Sequence, residues 1–267
     1  MISEIFKKLS VENRAALIPF VSCGDPNLDF TEKLVGRVCA SGADIVELGV
    51  PFSDPMADGP TIQQASNRAL AGGATLPKIL DMVKRLRSGG VQTPFVMFSY
   101  FNPIFKLGVE KIAKDSAAAG VNAWLTVDVP LEESAEITEV IEPFGMDFIP
   151  LAAPTTPLER VTKISRCGGG FLYYVTVAGV TGARKALPAH FSKRLADVRK
   201  ASVLPVAAGF GISTPEMAHL AAESADAVVV GSKFVDLVYS KYRDSGEAAA
   251  LDAAETFIKS LAAAVVR

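Results

Sequence analysis

Eight short runs of apolar, β-branched and aromatic residues recur along the chain, and most are followed by a stretch whose apolar positions return every three or four residues. The runs are AALIPFV ending near Val21, DIVEL near 44–48, FVMFS near 95–99, AWLTV near 123–127, MDFIP near 146–150, FLYYV near 171–175, VLPVAA near 203–208 and DAVVV near 226–230. Most are almost continuously apolar, the pattern of parallel strands covered on their outer face by helices. Their starts lie about one βα unit apart, except between the second and third, where the longer gap holds two helical segments, 61–71 and 76–87. LDFTEKLVGRVCASGA gathers Leu28, Leu34, Val35, Val38 and Cys39 on one side and stops at Gly42. LGVEKIAKDSAAAGV stops in the same way at Gly120, a glycine where a helix C-cap favours one. MISEIFKKLS, with Ile2, Ile5, Phe6 and Leu9 at helical spacing and charges between them, reads as a further helix rather than the apolar core of a signal peptide.

Eight βα units in 267 residues predict an α/β protein, a (β/α)8 TIM barrel with an extra N-terminal helix, an extra helix after strand 2 and a long helical C-terminal end. A doubly wound open sheet is the rival, but it would use fewer strands and carry a GxGxxG turn after the first, where SCGDPNLD stands. No linker or break in composition interrupts the chain, so residues 1–267 read as one domain.

Charge and composition then narrow the partners. A net charge of -2 without a basic stripe favours a small-molecule ligand over nucleic acid or an anionic membrane. Cys23, Cys39 and Cys167 lack CxxC spacing and His190 and His219 are the only histidines, which suits a reduced cytoplasm and predicts no metal site. No apolar run reaches membrane-spanning length without charges, Pro or Gly.

The chemistry concentrates where strand 2 ends. In DIVELGV, alternation turns Val46 and Leu48 toward the helix ring and Ile45 and Glu47 toward the barrel interior, with Glu47 near the catalytic C-terminal mouth. A carboxyl placed there is partly desolvated, which favours its neutral form and suits proton transfer near pH 7. The loop PFSDPMADGP follows, with Asp54 before Pro55 and Asp58 before Gly59. Turn chemistry alone accounts for both aspartates in an arbitrary loop. Here Asp58 lies 11 residues after a barrel carboxylate, so the pair can bracket one ligand. At the other end, Gly209 and Gly211 follow strand seven and Gly231 and Ser232 follow strand eight at a helix start, the positions where this fold usually binds phosphate. Phe20, Phe98, Leu125 and Val127 suggest an apolar mouth for a flat aromatic group, with Tyr100 a further candidate contact; Tyr173 reaches the same pocket or belongs to the core. AGVTGARKALPAH, with Gly179, Gly182, Arg184 and Lys185, is either a lid or a solvated loop. The strand cores contain no lysine for a Schiff base, and two unpaired histidines argue against a metal-dependent aldolase, which leaves carboxylate acid–base catalysis.

Across nearly its whole length the chain resembles the tryptophan synthase α-subunit family, through PFVSCGDP at 19–26, ELGVPFSDPMADGPTIQ at 47–63, NPI at 102–104, DVPLEES at 128–134, AGVTG at 178–182, GFGIS at 209–213 and VVGSKFV at 229–235. The resemblance implies a lyase that splits indole-3-glycerol phosphate into indole and glyceraldehyde 3-phosphate. It implies Glu47 as general acid–base, Asp58 as the carboxylate on the indole N–H, Tyr173 as an active-site tyrosine and Thr181 as the holder of Asp58. Gly182, Gly211, Gly231 and Ser232 take the phosphate positions. It further implies a β subunit that carries pyridoxal phosphate, an α2β2 assembly in the cytoplasm, no cofactor in this chain, and an interface at Asp54, Pro55, Asn102 and Pro103. Val177 and ARKALPAH depart from the family pattern, where an arginine and a more acidic stretch are usual. Two other readings remain open at this stage: a free-standing lyase without a β subunit, and a non-catalytic phosphate-binding barrel.

Overall fold

In the computed structural model, which describes residues 1–175, 191–209 and 211–267, the apolar runs form parallel strands arranged in a ring. They are β1 (Ala16–Ser22), β2 (Val46–Gly49), β3 (Phe95–Ser99), β4 (Ala123–Thr126), β5 (Asp147–Phe148), β6 (Leu151–Ala152), β7 (Leu172–Val175), β8 (Val206–Gly209) and β9 (Ala227–Val230). Around them lie α1 (Ile2–Val11), α2 (Leu28–Ala40), α3 (Pro60–Ala71), α4 (Leu76–Ser88), α5 (Phe101–Leu107), α6 (Val109–Ala119), α7 (Ala135–Ile141), α8 (Leu158–Arg166), α9 (Phe191–Ala201), α10 (Pro215–Ala222) and α11 (Ser232–Ala264). The extra helix ahead of β1 and the pair of helices after β2 are both present, and α11 is broken at Gly246, where φ is 84°.

The fifth strand differs from expectation. MDFIP does not run as one piece over 146–150: its first residues pair with β4 (Trp124↔Phe148) and its continuation with β7 (Leu151↔Tyr173). Between the pieces the Ile149 N–H donates to the Trp124 carbonyl at 2.8 Å, and the Pro150 carbonyl accepts from Tyr173 N–H at 2.9 Å. The segment therefore changes neighbour at Ile149–Pro150 and closes the ring there. Proline, which has no N–H, fits a position where the ladder passes from one side to the other.

Strand alternation divides the core in two. Val46, Leu48, Met97 and Trp124 point outward into the layer beneath the helices. Ile18, Ile45, Val96, Leu125 and Ala207 fill the barrel interior. Ile2, Phe6 and Leu9 of α1 belong to the interior cluster, and the Phe6 ring meets Phe171 at 5.9 Å between centroids. The helix thus plugs one end of the barrel, and the floor beneath the opposite mouth is solid.

Because Phe6 is 7% exposed, Phe6→Ala should leave a cavity and lower unfolding free energy by about 3 kcal/mol. Urea or guanidinium denaturation checks this; a loss below roughly 1 kcal/mol would show that α1 merely rests on the barrel.

Candidate active site

Glu47 stands in the middle of β2 on the same face as Ile45, so the interior clusters below it and the mouth opens above it. The side chain is 0% exposed, and among the described residues neither carboxylate oxygen has a hydrogen-bond partner. Burial alone pushes its pKa up to about 8. An ion without partners in such a place would cost several kcal/mol, so the group keeps its proton instead.

The neighbouring strand makes the rest of this wall. Phe20 is the β1 residue in register with Glu47, and its ring stands over Gly49: a Cβ at Gly49 would lie 2.3 Å from Phe20 Cζ. Phe20 meets Phe98 edge-on at 5.2 Å, and Phe98 meets Tyr173 at 6.4 Å, which gives a slot of aromatic faces. Tyr173 needs the absence of a side chain at Gly209, where a Cβ would come within 2.5 Å of its hydroxyl. Burial, and then the nearby Glu47 and Asp58 carboxyls, hold the Tyr173 hydroxyl well above its usual pKa. The tyrosine therefore remains a neutral donor.

Asp58 is positioned by a different set of bonds. The loop 50–59 turns through Asp58 N–H to Pro55 O at 3.0 Å, and Gln63 of α3 holds the Asp58 carbonyl at 2.8 Å. The Tyr100 hydroxyl donates to Asp58 Oδ2 at 3.0 Å while accepting from Ala57 N–H at 3.0 Å. Burial raises the Asp58 pKa to about 6, with the Tyr100 hydrogen bond opposing the rise. Two carboxyls in one cavity are thus pushed apart, one kept neutral at pH 7 and the other mostly ionised.

Glu47 and Asp58 line the same cavity of about 600 Å³, together with Ile62, Val127, Tyr173 and the glycine loops. The same cavity is lined by Gly211, whose φ is 71°, and by Gly231 and Ser232. Gly231 caps α11 and Ser232 is its first residue; the first turn carries no acidic side chain, so the helix presents its N–H groups and positive dipole end unopposed.

The structure therefore brings Glu47, Asp58, Phe20, Tyr173, Gly211, Gly231 and Ser232 to one cavity. Leu125 is different, being fully buried in the interior cluster as part of the floor. Tyr100 serves Asp58 directly, through the hydrogen bond above. Thr181, Gly182 and the rest of the expected lid lie outside the described residues. Gln63, Ile62 and the Tyr100–Asp58 bond were not foreseen; only the position of Gln63 one turn into a helix that follows the loop hinted at it. Among the described residues no cluster of three His, Cys, Asp or Glu side chains is placed to hold a metal ion, and no helix is long and apolar enough to cross a membrane.

A barrel with two buried, differently tuned carboxyls at its mouth is the architecture of a (β/α)8 acid–base enzyme. Comparison narrows the class. The family described as "Tryptophan synthase alpha chain" matches residues 6–266, and the chain belongs to that family. It is 52% identical over 242 residues to the tryptophan synthase alpha chain of Geobacter sp. (strain M21), covering 91% of this chain and 90% of that one. It superposes on tryptophan synthase subunit alpha from Legionella pneumophila str. Paris with a TM-score of 0.91 and 36% identity, over 99% and 97% of the two chains. A chain of Mycobacterium tuberculosis tryptophan synthase gives a TM-score of 0.90 at 32% identity, over 100% and 98%. The chain is a lyase of tryptophan biosynthesis whose reaction is the cleavage of indole-3-glycerol phosphate to indole and glyceraldehyde 3-phosphate.

The raised Glu47 pKa has a measurable sign. Between its ordinary value of 4.5 and about 8, the folded protein holds a proton that the unfolded chain has released, so this group's contribution to stability falls as pH rises through that window. Glu47→Gln should therefore gain stability relative to the parent between pH 5 and 9, most above pH 8; parallel stability curves for the two proteins would contradict the assignment.

Proposed function

We propose that Glu47 and Asp58 divide the chemistry of this cleavage between them. The protonated Glu47 carboxyl donates its proton to indole C3, the ring carbon that bears the glycerol side chain. Protonation places positive charge on the indole, and the Asp58 carboxylate, accepting the indole N–H, stabilises that charge more in the transition state than in the ground state. Glu47, now a carboxylate, takes the proton from the adjacent glycerol hydroxyl. The C–C bond electrons return to the ring as the hydroxyl oxygen becomes the aldehyde carbonyl, and Glu47 ends the cycle protonated. The observation that carries this reading is a carboxyl with no hydrogen-bond partner among the described residues, kept neutral, in the same cavity as an ionised one.

The remaining contacts follow from the geometry. The slot of Phe20, Phe98 and Tyr173 suits the flat bicyclic ring, and the backbone at Gly211, Gly231 and Ser232 suits the phosphate. The family likeness adds Thr181 as a contact to Asp58 and Gly182 as a phosphate contact. This chain carries no cofactor of its own in the proposal.

A partner is supported by the outside of the same mouth. Asp54 and Asn102 are exposed and Pro55 and Pro103 half-buried, and beside them Met56 is 82% and Phe105 66% exposed. Large apolar side chains offered to solvent around polar ones mark a surface for another protein. The occupant is the β subunit, which holds pyridoxal phosphate and uses the released indole, in an α2β2 complex in the cytoplasm. These exposed groups favour the complex over a free-standing lyase.

An assay of indole release from indole-3-glycerol phosphate tests the catalytic assignment. Glu47→Gln and Asp58→Asn should each lose at least roughly 100-fold in kcat, and kcat/KM of the parent should fall as pH rises past about 8, where Glu47 loses its proton. Full activity in either variant refutes its role. For the partner, Phe105→Asp should weaken binding of the β subunit at least roughly tenfold in a titration while leaving unassisted indole release unchanged; undiminished binding would place the interface elsewhere.

A further inference from the structure

The two groups that grip opposite ends of the substrate sit at the starts of two different helices. Asp58 immediately precedes Gly59, the N-cap of α3, and the phosphate loop Gly231–Ser232 opens α11. These helices pack side by side, and near the mouth Ile62 and Ala65 of α3 meet Phe20 of β1 and Val235 of α11. Apolar contacts of this kind resist separation but leave sliding comparatively free, because they have no preferred direction.

One residue supplies the missing direction. Arg68, two turns along α3, donates through Nε to Asp25 Oδ1 and through Nη2 to Asp25 Oδ2, both at 2.7 Å. The same guanidinium lies 3.5 Å from the centre of the Tyr239 ring, which α11 presents two turns after Ser232. Asp25 belongs to the loop after β1, and its side chain is 4% exposed. A planar fork on a buried carboxylate fixes both distance and orientation, and stacking fixes the third side. Three elements meet at one side chain: the β1 loop, the helix behind Asp58 and the helix behind the phosphate.

We propose that Arg68 is a positioning residue that sets the span between the Asp58 carboxylate and the phosphate anchor, and so the length of ligand the cavity accepts. This rests on the reading that one ligand spans both ends. Linking two fragments raises affinity only when the link matches the distance between their sites, so a slack span penalises the joined ligand and spares its halves. Turnover suffers too, since displacement by about 1 Å can cost on the order of 100-fold.

The test compares ligands on the full-length chain by calorimetry: indole, glycerol 3-phosphate, and an indole joined to phosphate by a three-carbon chain without hydroxyl groups, which cannot be cleaved. In Arg68→Met, each fragment should bind within about twofold of the parent while the joined ligand loses at least tenfold and kcat falls about tenfold. Arg68→Lys keeps the charge without the fork and should fall between; it also serves if the first variant does not fold. An unchanged joined-ligand affinity overturns the proposal, as does an equal loss for fragments and joined ligand, which would mean general loosening of the pocket. If the parent itself binds the joined ligand no more tightly than the better fragment, the spanning reading fails first and the proposal with it.

Discussion

A buried carboxyl group that no described residue satisfies, in the wall of a closed barrel, is the constraint around which this protein is arranged. Glu47 is fully buried and both its oxygens lack partners among the described residues. A lysine or arginine beside it would have been the ordinary remedy, and would have fixed it as an anion with no proton to give. Instead desolvation holds it protonated at neutral pH. The price in stability is tolerable because the surrounding structure is extensive: an interior plugged by α1 below and a helix layer outside.

The second carboxyl shows why environment, rather than residue type, assigns roles. Burial raises the Asp58 pKa too, to about 6, but Asp58 is less completely enclosed than Glu47 and a Tyr100 hydroxyl opposes the rise, so it stays mostly charged at pH 7. One group has a proton to move while the other has a charge to offer. Gly231 and Ser232 line the same cavity where α11 begins, and a helix start of this kind offers free N–H groups and a positive dipole end to an anion. The Arg68 contacts with Asp25 and Tyr239 then join the helices that carry these two ends.

Much of this was legible in the sequence because strands and barrel faces are local patterns. Alternation alone put Val46 and Leu48 outside and Ile45 and Glu47 inside, and so it stands. The division of the fifth strand was not legible, since MDFIPLAA is apolar throughout apart from Asp147 and the break depends on which neighbour each residue finds. Leu125 was expected at the ligand and lies in the floor, because an apolar residue near a strand end looks alike on either side of the cavity's base. Tyr100 reaches Asp58 across 42 positions and Arg68 reaches Asp25 across 43; contacts of that range leave no periodic trace. The resemblance carried the roles of single residues, and the physical chemistry of burial shows why two of them suit those roles.

Burial should leave Glu47 carrying a proton in the resting protein. Infrared difference spectroscopy between acidic and alkaline samples reads this directly, through the carbonyl stretch of a protonated, non-hydrogen-bonded carboxyl. The band should persist at pH 7, disappear as pH passes about 8 and be absent from Glu47→Gln. A carboxylate signal for Glu47 already present at pH 6 would contradict it.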